Sequence, residues 1–570
     1  MDWPARLAAS GRLALALRRL WSWQALAFVS LLVGLYLFVG VLTFTGEPGV
    51  FTSPDETGSY IITKAFGETG KLYYERDYFA EDDLHLAHPR SLLRYEDRVV
   101  LPNSQGLPLF YGIGYAAFGD NVTLAVLVLA PLCLFFLFET AALLLRTRSL
   151  LLALAFFGLG PLLYWFSRPY WNSLGSTAFF AGGCYFAIRY YQGTRRLDLL
   201  WAGALFSISM LFRYEYAAFF LPLMAIVVLQ RLGWQRWREA LRELALFGAV
   251  VTALFLIPVI ALSLYVYHEP IVFPTALLGD SVSDDAGPNS VAQLVRLVWR
   301  AVLPEGLDPL LVGRNLVRFT IMLAPALTLL SVAGLVLALR RGALRVAQVA
   351  PFALLLVYYL FFVGSVDSTY LATGWDVSYE ASIVRYWLLL YVVMYFFAAY
   401  ALVHTPELVR DAWPRCSPRV AAAGPWVVAL VLACSTVPAV WFSWTGSLRH
   451  VHEGQAFGAE RRDIVADNTE ADAVIYSAGE LHKFIAGARD VVALPEPAAV
   501  REDPVLASAV AHNIQQVMSY RPVYFMRLGV LSGEPYLEDV LAGLEHRGLR
   551  LEPIDLIGTL NRVVPIEEDP

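Results

Sequence analysis

Apolar runs recur along the whole chain, and many are long enough to cross a bilayer. A hydrocarbon core about 30 Å thick takes about 20 residues of helix. Within lipid every backbone N–H and C=O must be satisfied inside its own segment, so such runs can fold only as helices packed on one another. The runs fall at about 21–45, 121–145, 149–167, 176–192, 199–213, 217–231, 245–267, 318–339, 347–365, 385–404 and 425–445. They predict a polytopic helical bundle of about eleven spans, several near the lower length limit. The chain is 58% hydrophobic, where soluble domains are about 45–50% apolar. A net charge of −6 gives no footing for nucleic acid, whose binding needs a basic surface.

Arginines set the orientation. Arg6, Arg12, Arg18 and Arg19 stand in residues 1–20, ahead of the first apolar run. That run is too long for a signal-peptide core and is not followed by a small-residue cleavage site, so it predicts an uncleaved span behind a cytoplasmic amphipathic segment. Counting from there, the cytoplasmic loops hold Arg146 and Arg148, Arg195 and Arg196, Arg231 to Arg242, Arg340 to Arg345, and Arg410 to Arg419. The opposite loops are poorer in arginine and richer in acids, as the positive-inside rule requires. The expected organisation is a transmembrane domain over 21–445 with a large extracytoplasmic loop at 46–120. An extracytoplasmic domain follows at 446–570. In that tail, β-like runs (473–476, 491–494, 523–526) alternate with helical ones (503–520, 536–547), which predicts a small, separately folding α/β domain. Residues 291–300 have the pattern of a helix lying in the membrane interface. Cys133, Cys184 and Cys434 lie in apolar spans and Cys416 in a cytoplasmic loop, so no disulfide framework is expected.

Charged residues at the extracytoplasmic ends of the spans are the candidates for chemistry. Asp55 and Glu56 follow the first span closely. Adjacent carboxylates at a hydrocarbon boundary need partners or a function, although Ser53-Pro54-Asp55 is also ordinary turn chemistry. Arg168 and Asn172 link spans three and four, Arg213 and Glu215 link spans five and six, and Glu380, Arg385 and Tyr386 lead into span ten. Most of the neighbouring Tyr and Trp residues fit the ordinary interfacial belt. Arg385 could equally be a snorkelling anchor, and Glu215 a buried partner of Arg213. A carboxylate beside arginines at a lipid edge suits one reaction in particular. The acid can take a proton from an attacking hydroxyl, and arginine can hold a departing lipid phosphate with two N–H bonds. His85 and His88, beside Asp82 and Asp83, are a weaker candidate for a divalent metal, because Pro89 breaks any helix that would align them. Asn121-Val122-Thr123 abuts a span and is read as a chance sequon.

Pro54-Asp55-Glu56 with Tyr60 a few residues later resembles a motif of the GT-C membrane glycosyltransferases, in the branch of protein O-mannosyltransferases and aminoarabinose transferases. Residues 101–109 and Ile383-Val384-Arg385-Tyr386-Trp387 resemble further segments of that family. The resemblance implies a polyprenyl-phosphate sugar donor and an inverting transfer to a glycan, lipid or protein acceptor. It implies Asp55 as general base, with Glu56 and Glu215 as the other acids. Arg385, Arg168 and Arg213 would meet the donor phosphate, and Tyr60, Asn172 and Tyr386 the substrate. Gly58 stands where the aminoarabinose branch often has arginine, and Asn172 where an acid sometimes stands. Two rival readings are a lipid-linked glycan ligase or polymerase using a diphosphate donor, and a transporter or flippase, which would show inverted repeats and midplane charge. Reporter fusions near residue 345 and after residue 450 are expected to report opposite compartments. The same compartment for both would break the eleven-span arrangement.

Overall fold

The structure is a computed structural model. It describes residues 49–51, 53–75, 92–95, 97–101, 105–122, 129–147, 170–193, 195–270, 308–341, 346–364, 382–413, 449–477, 482–486, 488–494, 505–526, 535–554 and 560–566, with a few positions between 417 and 427. The predicted spans at 21–45 and 149–167, the interfacial segment 291–300 and all but residue 427 of the predicted span 425–445 lie outside them.

Within the predicted extracytoplasmic loop 46–120, most of the described residues lie in helices or strands. Helix α1 runs Pro54–Thr69. Pro54 opens it with φ preset for a helix, Asp55 and Glu56 place negative charge at the positive end of the dipole, and Gly70 closes it at φ 73°. These are standard start and stop signals, and they outweigh the turn chemistry of Ser-Pro-Asp. Three short antiparallel strands follow: β1 (Tyr74–Glu75), β2 (Leu93–Tyr95) and β3 (Arg98–Val100), with β3 between the other two. Helix α2 (Gly106–Phe118) then packs on α1. A Cβ on Gly106 would lie 2.1 Å from the Leu211 carbonyl oxygen, so only glycine lets the start of α2 touch the next helical layer.

That layer is built from α3 (Leu129–Leu145), α4 (Asn172–Gly193), α5 (Arg196–Phe212), α6 (Ala217–Leu232), α7 (Trp237–Val251) and α8 (Ile257–Tyr267). The α4–α5 pair is tied by Ser209 Oγ, which donates to the Ser176 carbonyl at 2.7 Å. A π-helical turn joins α7 to α8, and residues Trp234–Tyr267 form one apolar helix of 34 residues. The second long apolar helix, Arg385–Glu407, starts within a 3-10 turn (Ser382–Trp387) and continues through most of α12 (Leu388–Ala412). Between them come α9 (Pro309–Leu316), α10 (Pro325–Arg340) and α11 (Val346–Gly364). Among the described residues, these two helices are long and apolar enough to cross a membrane, and a third span counts if a bent pair is taken as one.

The bent pair corrects an expectation. Residues 318–339 do not form one straight span: the chain turns by 102° between Met322 and Pro325. Proline disfavours helical geometry at the residue before it, and Ala324 accordingly sits at φ −136°, ψ 60°. Beyond the break α10 lies tightly on α12. Gly334 faces the Phe397 carbonyl where a Cβ would fall at 1.9 Å, and Ser331 Oγ donates to the Met394 carbonyl at 2.7 Å.

The tail begins with α13 (Arg449–Asn468) and contains a five-stranded sheet. Strands β4 (Val474–Ser477), β5 (Asp490–Ala493), β6 (Val523–Met526), β7 (Leu549–Pro553) and β8 (Leu560–Pro565) take the order β5-β4-β6-β8-β7. The first three are parallel, and β8 and β7 are antiparallel to their neighbours. Short helix α14 (His482–Ile485) and helices α15 (Val505–Val517) and α16 (Pro535–Glu545) complete it. The α/β character is as the alternation predicted, but the sheet does not have a core to itself. One apolar cluster joins Ile62, Leu92, Val99 and Tyr267 to Val474, Val492 and Phe525. A second places Val50, just ahead of α1, among Val465, Ile475, Phe484 and Tyr524. The helix that carries Asp55 is therefore seated on the tail.

Val50 is 1% exposed, and removing two methyl groups from such a site costs about 2 kcal/mol. Val50→Ala is expected to lower the thermal midpoint of the tail in the full-length protein. An unchanged midpoint would show that this segment does not share the core of the tail.

Candidate active site

The chain ordering described above brings three separate helix ends together. The first turn of α1 carries Asp55, half exposed, and Glu56, only 2% exposed. The 3-10 turn ahead of α12 carries Arg385, Tyr386 and Trp387. Arg385 Nη1 donates to Asp55 Oδ2 at 3.0 Å across 330 residues of sequence. Its Nη2 donates to the Tyr386 hydroxyl at 3.4 Å. Two aromatic rings also meet the guanidinium, Trp171 at 4.2 Å and Tyr386 at 5.1 Å. The turn is held from below: the Tyr359 hydroxyl donates to the Tyr386 carbonyl, and the fully buried Trp387 packs on Phe319 at 5.6 Å.

The third helix end is the C-terminus of α5. Arg213 takes extended geometry there, its N–H donating to the Ser209 and Met210 carbonyls. Its side chain is buried at 5% exposure, lies over the rings of Tyr216 (5.0 Å) and Tyr386 (4.6 Å), and donates to the Tyr216 hydroxyl at 3.4 Å. Tyr386 is thus shared by two guanidinium groups. Aromatic faces offset the desolvation of arginine through the ring quadrupole and not through its N–H groups. Beside this cluster, aromatic rings pack between α6 and α11, Phe219 on Tyr359 at 5.1 Å, and within α11, Tyr358 on Phe362 at 6.1 Å.

Of the residues proposed from sequence, the structure brings Asp55, Arg385, Tyr386 and Arg213 into one cluster. Asn172 opens α4 directly after Trp171, and its Oδ1 is buried without a hydrogen-bond partner among the described residues. Tyr60 is turned to other work. Its hydroxyl donates to Asp120 Oδ1 at 2.7 Å, and its ring packs among Phe51, Tyr115 and Tyr170. Burial, and then the bond to Asp120, pushes the Tyr60 phenol well up, so it stays a protonated donor. Glu215 lies in the 3-10 turn Tyr214–Tyr216. Arg168, Glu380, His85 and His88 lie outside the described residues. No group of three or more metal-ligating side chains occurs among the described residues. Trp171 is one of the aromatic residues between spans three and four. Its position in the same stretch as Asn172 was the available signal, but only the fold shows the ring beneath Arg385.

Comparison with solved structures identifies the architecture. ArnT from Cupriavidus metallidurans, in its crystal structure bound to undecaprenyl phosphate, matches 93% of this chain and 97% of its own at 15% identity, with a TM-score of 0.50. The chain has the ArnT-like GT-C fold. No protein-family model matches the sequence, and no curated protein matches it. Within the GT-C fold of this chain, the Asp55–Arg385 pair stands at the end of a long apolar helix and at the start of α1.

Proposed function

We propose that the protein is a membrane glycosyltransferase that moves a sugar from a polyprenyl-phosphate donor to an acceptor hydroxyl on the extracytoplasmic side. The observation that carries this reading is the Asp55–Arg385 ion pair, with Arg213 beside it, at the end of a helix long enough to span a bilayer. The GT-C fold, and the undecaprenyl phosphate bound to ArnT, favour a lipid-phosphate ligand for the same region of this chain.

The chemistry follows from the groups present. The acceptor oxygen attacks the sugar's anomeric carbon from the face opposite the phosphate. A new C–O bond forms, the bond from that carbon to the phosphate oxygen breaks, and the configuration inverts. Asp55 takes the hydroxyl proton, and the polyprenyl phosphate leaves with the electron pair. Arg385 and Arg213 offset the charge gathering on the phosphate, in a site shielded by Trp171, Tyr216 and Tyr386 where such contacts are stronger than in water. Arg385 holds Asp55 before any donor arrives. A phosphate that draws Arg385 to itself also releases the carboxylate, so donor binding and unmasking of the base are one event.

This coupling gives an unusual expectation. A positioned base contributes about 10²–10⁴-fold, so Asp55→Asn should slow single-turnover transfer by that order. The same substitution removes the competitor for Arg385, so polyprenyl-phosphate binding should be as tight as in wild type or tighter. Arg385→Ala should weaken binding and transfer, and Arg385→Lys should fall between, because an ammonium lacks the planar fork. Normal transfer by Asp55→Asn would remove the general base, and unaltered binding by Arg385→Ala would remove the phosphate anchor.

A further inference from the structure

Arg385 is asked to exchange one anion for another, and something must fix its guanidinium while its edge is free. Asp55 meets that edge, at 3.0 Å. Trp171 meets the guanidinium differently, with the Arg385 Cζ 4.2 Å from the centre of its ring. Among the described residues this contact is shorter than the one Arg385 makes with the Tyr386 ring. A π face attracts the cation through its quadrupole and leaves the N–H groups to point elsewhere. Trp171 can therefore stay in place through the exchange, whereas Asp55 cannot. The ring is itself fixed. Trp171 is 6% exposed on the turn entering α4, its carbonyl accepts from Leu174 N–H at 3.4 Å, and the preceding Tyr170 is fully buried among Phe51, Tyr60 and Tyr111. The platform is thus anchored in the aromatic core, and the group it carries faces the site.

We infer that Trp171 is a positioning residue for phosphate recognition, holding the Arg385 guanidinium in the orientation from which it passes from Asp55 to the donor phosphate. The inference rests on the reading of Arg385 as the phosphate anchor. Trp171 touches neither reacting atom and acts through Arg385.

A double-mutant cycle on the full-length protein in nanodiscs tests this, with binding of a polyprenyl phosphate as the readout. Trp171→Leu should weaken binding by about 3- to 10-fold, because the guanidinium loses its preset orientation and must be ordered when the phosphate binds, and Trp171→Phe should recover most of the loss. In an Arg385→Ala background, Trp171→Leu should change binding by less than about twofold, because the group it acts through is gone. Trp171→Met replaces the leucine variant if that variant does not fold. An equal loss from Trp171→Leu in both backgrounds would make Trp171 a packing residue only and overturn the inference. A phenylalanine variant as weak as the leucine variant would also overturn it. Unaltered binding by Arg385→Ala alone would instead strike the phosphate-anchor reading, and the two failures are separable in the same four measurements.

Discussion

The contact between Asp55 and Arg385 is the constraint around which the rest of this molecule is arranged. An arginine and a carboxylate taken from water lose hydration that their mutual attraction repays only in good geometry. Here the geometry comes from packing distant in sequence. Pro54 starts α1 and orients Asp55 in its first turn, Tyr359 and Phe319 fix the turn that presents Arg385, and the α4 entry supplies the ring beneath the guanidinium. No two of these supports are neighbours in the chain, so the pair exists only in the folded bundle. It is also incompletely buried, the Asp55 side chain being 40% exposed and that of Arg385 20%. A pair so placed can be opened by a competing anion, which a fully enclosed one would resist.

The tail contributes to this arrangement through α1. Val50 enters the apolar cluster of the tail and Ile62 enters another that spans the tail and the small sheet of the first loop. The start of α1, where Asp55 sits, is thus held from the membrane bundle on one side and from the α/β sheet on the other. Among the described residues, the clustered polar side chains of the site all come from outside the tail, and the tail's apolar contacts reach the helix that carries one of them.

Much of this was legible in the order of residues. Alternating apolar runs and arginine-rich loops implied a helical membrane bundle, and the residues Asp55, Arg213, Arg385 and Tyr386 could be named because charge at a hydrocarbon edge is costly without a purpose. The tail's α/β nature followed from its changing periodicity. Other features were hidden for physical reasons. The helix at Pro54–Thr69 was masked because its first turn is also good turn chemistry, and hydrophobic patterning is weak in a helix packed on several sides. The break at Met322–Pro325 sits inside a continuous apolar run, where hydropathy cannot register a bend. The Tyr60 hydroxyl bonds Asp120 across 60 positions, a partnership set by tertiary packing. Trp171 did not stand out among the neighbouring aromatic residues because its role depends on a residue more than two hundred positions away.

A structure of the full-length protein with a polyprenyl phosphate bound tests the central claim most directly. The account predicts the phosphate within hydrogen-bond reach of the Arg385 guanidinium, the guanidinium still over Trp171, and Asp55 parted from it and open to solvent or acceptor. A phosphate bound elsewhere with the Asp55–Arg385 pair intact would contradict it.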